Sequence, residues 1–245
     1  MLPLDHLPFR TPDLTKLAAA FEALGFTVSP PGAYTSADVP DARWPNRCVF
    51  LKRGWFDLLA DPVAEPVTPG PGGCLFRTDD LDATLAGIQG LRTRPAYRLE
   101  RRWDDDIGLP PETFALFDLR ERIAPIPLAV IEHAWPCPDI APGWMDHPNG
   151  AIEITGLVFG GSAPGPAADQ ASASLDLAGF EYLPAETFAQ TFGADVPPVA
   201  VRIKVGSLNQ ASEALQGHGA RFTQSSGRLI AYAAGDLDCR FVFFA

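Results

Sequence analysis

Histidine and cysteine are scarce in this chain of 245 residues, four of each, and the cysteines stand far apart at Cys48, Cys74, Cys137 and Cys239. Without a CxxC pair or a dense spacing, a zinc ribbon and a disulfide framework are excluded, and free thiols are expected. Long apolar runs are missing as well: no stretch approaches the roughly 18 residues that a membrane-spanning helix needs. The opening Met1-Leu2-Pro3-Leu4-Asp5-His6 has no basic region leading into an apolar segment, so the expectation is a cytoplasmic protein without a membrane partner. Basic residues are outnumbered, 19 against 30 acidic ones, giving a formal charge of -11. With a pI near 4.7, the field of the chain repels phosphate backbones and argues against a nucleic-acid partner. Gly160-Gly161-Ser162 lacks the strand-to-helix context of a phosphate cradle, and no Ser/His/Asp arrangement can be read from spacing.

What the chain has is an apolar share of 47%, ample for a sizeable core, and a weak internal repeat. A short apolar strand, a capping turn, an amphipathic helix ending in Gly and further strands recur from Leu4 to Gly25, from Cys74 to Gly90 and from Val199 to Gly219. In the first unit Thr11-Pro12-Asp13 opens a helix whose Leu14, Leu17, Phe21 and Leu24 share a face, and Gly25 stops it. Strands are predicted at Phe26–Ser29, Arg47–Leu51 and Trp55–Ala60. In the second, Thr78 to Asp80 caps a helix carrying Leu81, Leu85 and Ile88, with strands at 96–103, 114–119 and 128–134. Ser207-Leu208 lies nearly two units beyond Asp80-Leu81, which leaves room for an abbreviated third unit: a strand over Ala151–Phe159, a loop to Pro166 and a helix near Ala167–Ala178. The fourth opens on Val199–Val205 and the capping pattern Ser207-x-x-Gln210, followed by three strands to the end.

The predicted class is therefore α+β, with four βαβββ units in two pairs whose curved sheets enclose a cavity. The first pair spans 1–140 (units 1–63 and 72–136) and the second 147–245 (a degenerate 150–190 and 198–245). Pro62 to Gly73 and Trp135 to Asn149 read as linkers. Arg98, Arg101 and Arg102, answered by Asp104, Asp105 and Asp106, read as a solvated, self-compensating loop.

Leu4-Asp5-His6, Pro12-Asp13-Leu14 and Ala23 to Val28 resemble the opening of the vicinal oxygen chelate superfamily, which includes glyoxalase I, bleomycin-resistance proteins and extradiol dioxygenases. Asn46 to Phe50, Trp55 to Ala60, and Glu132-His133 through Trp144 to His147-Pro148-Asn149-Gly150-Ala151 are similar to a glyoxalase-like group within it. The resemblance implies a divalent metal (Zn, Ni, Mn, Fe or Mg) on the first and last strands of paired units, with His6 at the first-strand position and Asp57 where relatives carry Glu.

Glu132 or His133 would complete such a site, only one of them facing inward because adjacent strand residues point to opposite sides. His133 and His147 are the candidate proton-transfer residues, and Asn46, Trp55, Trp144 and Asn149 the candidate substrate contacts. Against this, Gly73 and Ala200 stand opposite His6 in the second and fourth units and cannot ligate. For His6 and His133 the alternative is a hydrogen-bonded core histidine, and for His147 to Gly150 a turn. His218, at a helix end, is assigned no function. Two functional expectations follow: metal-assisted lyase, isomerase or dioxygenase chemistry on a small polar molecule, or metal-free sequestration of a small-molecule ligand in the manner of bleomycin-resistance proteins. A scaffold acting through oligomer contacts, with a homodimer as the candidate assembly, is the third.

Overall fold

Hydroxyl and carboxylate caps open the helices of the first, second and fourth units. Thr11 Oγ1 accepts the Asp13 N–H at 3.0 Å while the Asp13 carboxylate accepts that of Lys16 at 3.1 Å. Thr78 and Asp80 repeat both contacts, the latter onto Ala83, and Ser207 caps onto Gln210. The computed structural model describes residues 2–38, 43–60, 71–88, 91–104, 109–120, 124–133, 142–162, 175, 177–194, 198–225, 227–232, 237 and 239–245. None of its described helices is long and apolar enough to cross a membrane.

The first unit comprises β1 (Leu4–Thr11), α1 (Leu14–Ala23), β2 (Gly32–Thr35), β3 (Arg43–Phe50) and β4 (Trp55–Ala60). The second repeats it as β5 (Cys74–Thr78), α2 (Leu81–Gly87), β6 (Tyr97–Trp103), β7 (Glu112–Asp118) and β8 (Leu128–His133). Their eight strands close into one barrel in the order β1-β4-β3-β2-β6-β7-β8-β5. Antiparallel pairing of β1 with β5 and of β2 with β6 forms the two seams between the units. The remaining strands, β9 (Ala151–Gly160), β10 (Phe180–Leu183), β11 (Val199–Val205), β12 (Arg221–Ser225), β13 (Arg228–Tyr232) and β14 (Arg240–Phe244), form an open sheet in the order β10-β9-β11-β14-β13-β12. Helix α4 (Leu208–Gly217) follows β11, so the fourth unit is complete.

One core joins barrel and sheet. Leu17 and Phe21 of α1 are buried on the outer face of the barrel, and Phe241 of β14 stacks 6.2 Å from Phe9 of β1 and lies 5.6 Å from Phe21. The other face of the open sheet carries α3 (Ala185–Phe192), whose Phe188 and Phe192 bury against Val158, Ala200, Ile230 and Val242.

Three expectations need correction. Phe26 to Ser29 is not a strand: the Thr27 N–H is taken by His147 Nδ1, Ser29 turns its hydroxyl to the Cys48 N–H, and Pro30 and Pro31 have no amide proton. The first of the three strands is instead Gly32–Thr35. In the third unit a parallel strand, β10, pairs with β9, and the described helix comes after it at Ala185–Phe192. The helix expected near 167–178 falls largely outside the described residues, as do most of the two linkers and Cys137. Finally, the run at Arg98 to Arg102 lies in strand β6, and its Arg101 is 2% exposed, inside the barrel.

Candidate functional site

Alternate residues of each barrel strand point inward, and the lumen retains a cavity of about 340 Å³. Its walls are largely apolar and aromatic, with Tyr34, Trp44, Leu59, Leu99, Phe114 and Ile131 among them. Arg10, Tyr97 and Asp118 lie toward one end, at or next to the ends of their strands, and His6 and Asp57 lie deeper. Beyond these two the barrel is filled by Cys48, Phe50, Trp55 and Trp103, covered by Leu109, Trp144 and Met145. The cavity is thus a blind pocket.

At its inner end one carboxylate holds two imidazoles. Asp5 Oδ2 accepts from His6 Nδ1 at 2.7 Å and from His133 Nε2 at 3.1 Å. Burial alone would raise the Asp5 pKa, but the hydrogen bonds from His133 and His6 overcome it and hold it at about 2. Because an ionised carboxylate only accepts, the His6 proton sits on Nδ1. Its Nε2 has no hydrogen-bond partner among the described residues, and the ring, stacked 4.4 Å from Trp55, lines the cavity. The Trp55 ring also meets His133 edge-on at 5.3 Å.

Asp57 is the second inward group. Pro8 lies opposite Asp57 and His6 opposite Trp55 in the parallel register of β1 and β4, so His6 and Asp57 share a face two positions apart. Asp57 Oδ1 accepts from Asn46 Nδ2 at 3.0 Å and from Cys48 Sγ at 3.8 Å. Behind them Arg101 crosses the barrel, donating from Nη1 to Cys48 Sγ at 2.8 Å and from Nη2 to Glu112, its cross-strand neighbour. Its guanidinium lies 4.6 Å from the centre of the Trp103 ring and 5.4 Å from that of Phe50. Burial pushes the Cys48 thiol pKa well up in spite of the neighbouring Arg101.

The predicted site residues therefore divide. His6 and Asp57 meet in the lumen, His133 is tied to His6 through Asp5, Asn46 holds Asp57, and Trp55 supports His6. Trp144 belongs to the plug, 6.1 Å from Phe50 and 4.9 Å from Trp103. Glu132 faces out of the barrel, where it accepts the Leu81 N–H at 2.7 Å at the start of α2. His147 and Asn149 lie between the barrel and the open sheet and do not line the cavity. His147 accepts from Thr27 N–H on Nδ1 and donates from Nε2 to the Phe50 carbonyl at 2.8 Å, and burial lowers its pKa, so it is held neutral with both nitrogens in use. Asn149 donates to the Leu24 carbonyl at 2.8 Å and accepts from the Ala151 N–H at 2.9 Å.

Sequence reasoning missed Asp5, Arg101 and Glu112. For Arg101 and Glu112 the available signal was alternation: Tyr97, Leu99, Arg101 and Trp103 fall on one face of a strand, as do Glu112, Phe114 and Leu116.

A divalent metal does not fit these donors. The pairings Phe9 with Leu58 and Phe76 with Val130 put Gly73 and Ala129 at the second-unit counterparts of His6 and Asp57, so the covering unit supplies no ligand. His133 Nε2 is spent on Asp5, and His6, with Nδ1 on the same carboxylate, keeps only Nε2 for the cavity, so His6 and Asp57 together offer two donors, fewer than a divalent ion takes from protein. Among the described residues no three His, Cys, Asp or Glu side chains are grouped to hold an ion.

Residues 4–175 match a family model described as Glyoxalase-like domain. No curated protein matches the sequence significantly. Among solved structures, a mutant of 4-hydroxymandelate synthase from Streptomyces coelicolor gives a TM-score of 0.62 at 12% identity, over 99% of this chain and 92% of that one. A xylose isomerase-like TIM barrel/4-hydroxyphenylpyruvate dioxygenase fusion protein gives 0.50 at 10% identity, over 98% of this chain and 48% of that one. Methylmalonyl-CoA epimerase from Streptomyces coelicolor, in complex with 2-nitronate-propionyl-CoA, gives 0.40 at 18% identity, over 55% of this chain and 100% of that one. At such identities the synthase likeness is one of fold.

Proposed function

This chain belongs to the glyoxalase-like domain family, and from that premise we propose that it binds a small, mainly apolar molecule in the lumen of its barrel without a resident metal ion. The observation that carries the reading is the blind cavity of about 340 Å³, apolar on its walls and polar at its inner end through His6 and Asp57. Enclosed apolar pockets with a few convergent polar groups are what small-molecule sites look like. The same space inside a filled barrel would be occupied by side chains.

A screen of small apolar compounds by thermal unfolding tests this, run on the unmodified protein and on Ala129→Phe, which places a ring in the cavity. Several compounds should stabilise the unmodified chain and none the filled one, and treatment with a chelator should leave both melting temperatures unchanged. Equal shifts in both proteins would sink the lumen as the binding site.

One observation favours a second, catalytic reading. Asp5 fixes the His6 tautomer and leaves Nε2 facing the cavity, the arrangement of a general base with its orienting carboxylate. In that reading His6 takes a proton from the bound molecule and returns it. Deuterium from solvent should then enter the bound compound, and His6→Gln should stop the exchange while binding persists.

A further inference from the structure

We infer that the ligand of this lumen carries a cationic, hydrogen-bond-donating head, that of a small apolar amine, seated against Asp57 and His6. The inference rests on the lumen being a binding site and adds the class of molecule that enters it.

Consider how the buried charges of the barrel are matched. Asp5 is engaged by two imidazoles and Glu112 by the Arg101 guanidinium. Asp57, 4% exposed, is engaged by the amide of Asn46 and the thiol of Cys48, both neutral donors and both on the same oxygen, Oδ1. No hydrogen bond reaches its other oxygen among the described residues. Nor is that oxygen among the sealed, unpartnered atoms of the interior, which include Asn46 Oδ1, Trp55 Nε1, Arg101 Nε and Trp103 Nε1. Asp57 lines the cavity, so Oδ2 is open to it. Arg101 attracts Asp57 through space but spends its hydrogen bonds on Glu112 and Cys48, so one guanidinium serves two carboxylates. A buried carboxylate without a hydrogen-bonded cation is costly, and the cost falls when a second cation arrives.

The second free group has the same polarity. With its proton on Nδ1 and committed to Asp5, His6 offers the cavity a lone pair on Nε2. Two acceptors two register positions apart ask for a head with more than one N–H, which a primary ammonium has and an alcohol or carboxylate has not. The walls agree with this choice. Trp44 lines the same space, and an aromatic wall attracts a cation; Tyr34 and Phe114, which line it too, already have Arg101 over their rings at 5.9 and 5.8 Å. Arg101, the buried cation nearby, is turned to Glu112 and Cys48.

Benzylamine, benzyl alcohol and benzoate share one apolar body and differ in the head, so calorimetric titration of the full chain with each separates the cavity from its charge preference. At neutral pH benzylamine should bind at least about tenfold more tightly than the alcohol, as charge-assisted hydrogen bonds imply, with benzoate weakest. In Asp57→Asn the amine-to-alcohol ratio should collapse toward one. If that variant does not fold, the ratio in the unmodified protein decides alone. An alcohol that binds as well as the amine, or a benzoate that binds best, overturns the cationic head and leaves lumen binding standing. Failure of all three to bind overturns both. Zinc or magnesium ions that bind alone with one-to-one stoichiometry, and displace the amine, would show a metal site instead and overturn the inference.

Discussion

Asp5 couples its own ionisation to folding. Held at about 2 by two imidazoles, against 3.8 for a free carboxyl, it binds fewer protons in the native state than in the unfolded chain between those values. Its contribution is therefore fully present above about pH 4 and is lost as pH falls toward the native value, an effect of about 2–3 kcal/mol for a depression of this size. Denaturant titrations across that window should show a stability slope that Asp5→Asn lacks; an unchanged slope would mean that the histidines do not hold this carboxylate. At this scale His6 and Asp57 were legible, because a resemblance fixed their strand positions. Arg101 was not. Three charged neighbours in a row, Glu100, Arg101 and Arg102, look solvated when counted along the chain, yet β6 turns Arg101 inward and Arg102 outward, and only the cross-strand Glu112 tells which of them is matched inside.

Helix α3 shows how one element can close a sheet face by itself. Among the described residues the third unit contributes two strands, β9 and β10, to the open sheet, and Phe188 and Phe192 cover the face of that sheet turned away from the barrel. Phe192 is 1% exposed, so Phe192→Ala should lower stability by about 3–5 kcal/mol through lost burial and a residual void. A denaturant midpoint that shifts by the equivalent of less than about 1 kcal/mol would mean that the helix does not fill that face. Element starts were the most legible part of the fold, since Asp13, Asp80 and Ser207 each cap with their own side chain. The strand misread at Phe26 to Ser29 has a tertiary cause: the Thr27 amide is claimed by a histidine 120 residues away in the chain, which no local pattern records.

At the scale of the molecule, the segment His147 to Gly150 fastens barrel to sheet. Asn149 bonds the end of α1 and the start of β9, the Gly206 N–H bonds the Gly150 carbonyl, and Gln210 of α4 reaches the Pro148 carbonyl at 3.1 Å. Gly25, at φ 77°, lies so close that an added Cβ would come within 3.1 Å of Asn149 Cβ. Asn149→Ala leaves a buried carbonyl and a buried N–H without partners. It should cost about 2 kcal/mol or more, read by tryptophan fluorescence and circular dichroism in parallel; a loss within about 0.5 kcal/mol would show the fastening to be dispensable. The repeat announced the paired units, because capping turns recur along the chain. That the first two units close on each other, and that the fourth leans on a helix instead of a full third, depends on contacts far apart in sequence.

The two hydrogen-bonded seams of the barrel set the terms on which any guest comes and goes. A cleft between hinged lobes adapts its width to what it holds, but a cylinder stitched shut along both junctions cannot widen without breaking a ladder of backbone bonds. If the lumen binds as proposed, its capacity is fixed before a guest arrives and little ordering remains to be done on binding; among the described residues the cavity's mouth lies beside Arg10 and Asp118. A vessel of that kind would discriminate by girth, and the residence time of an occupant would be set by the doorway as much as by the floor.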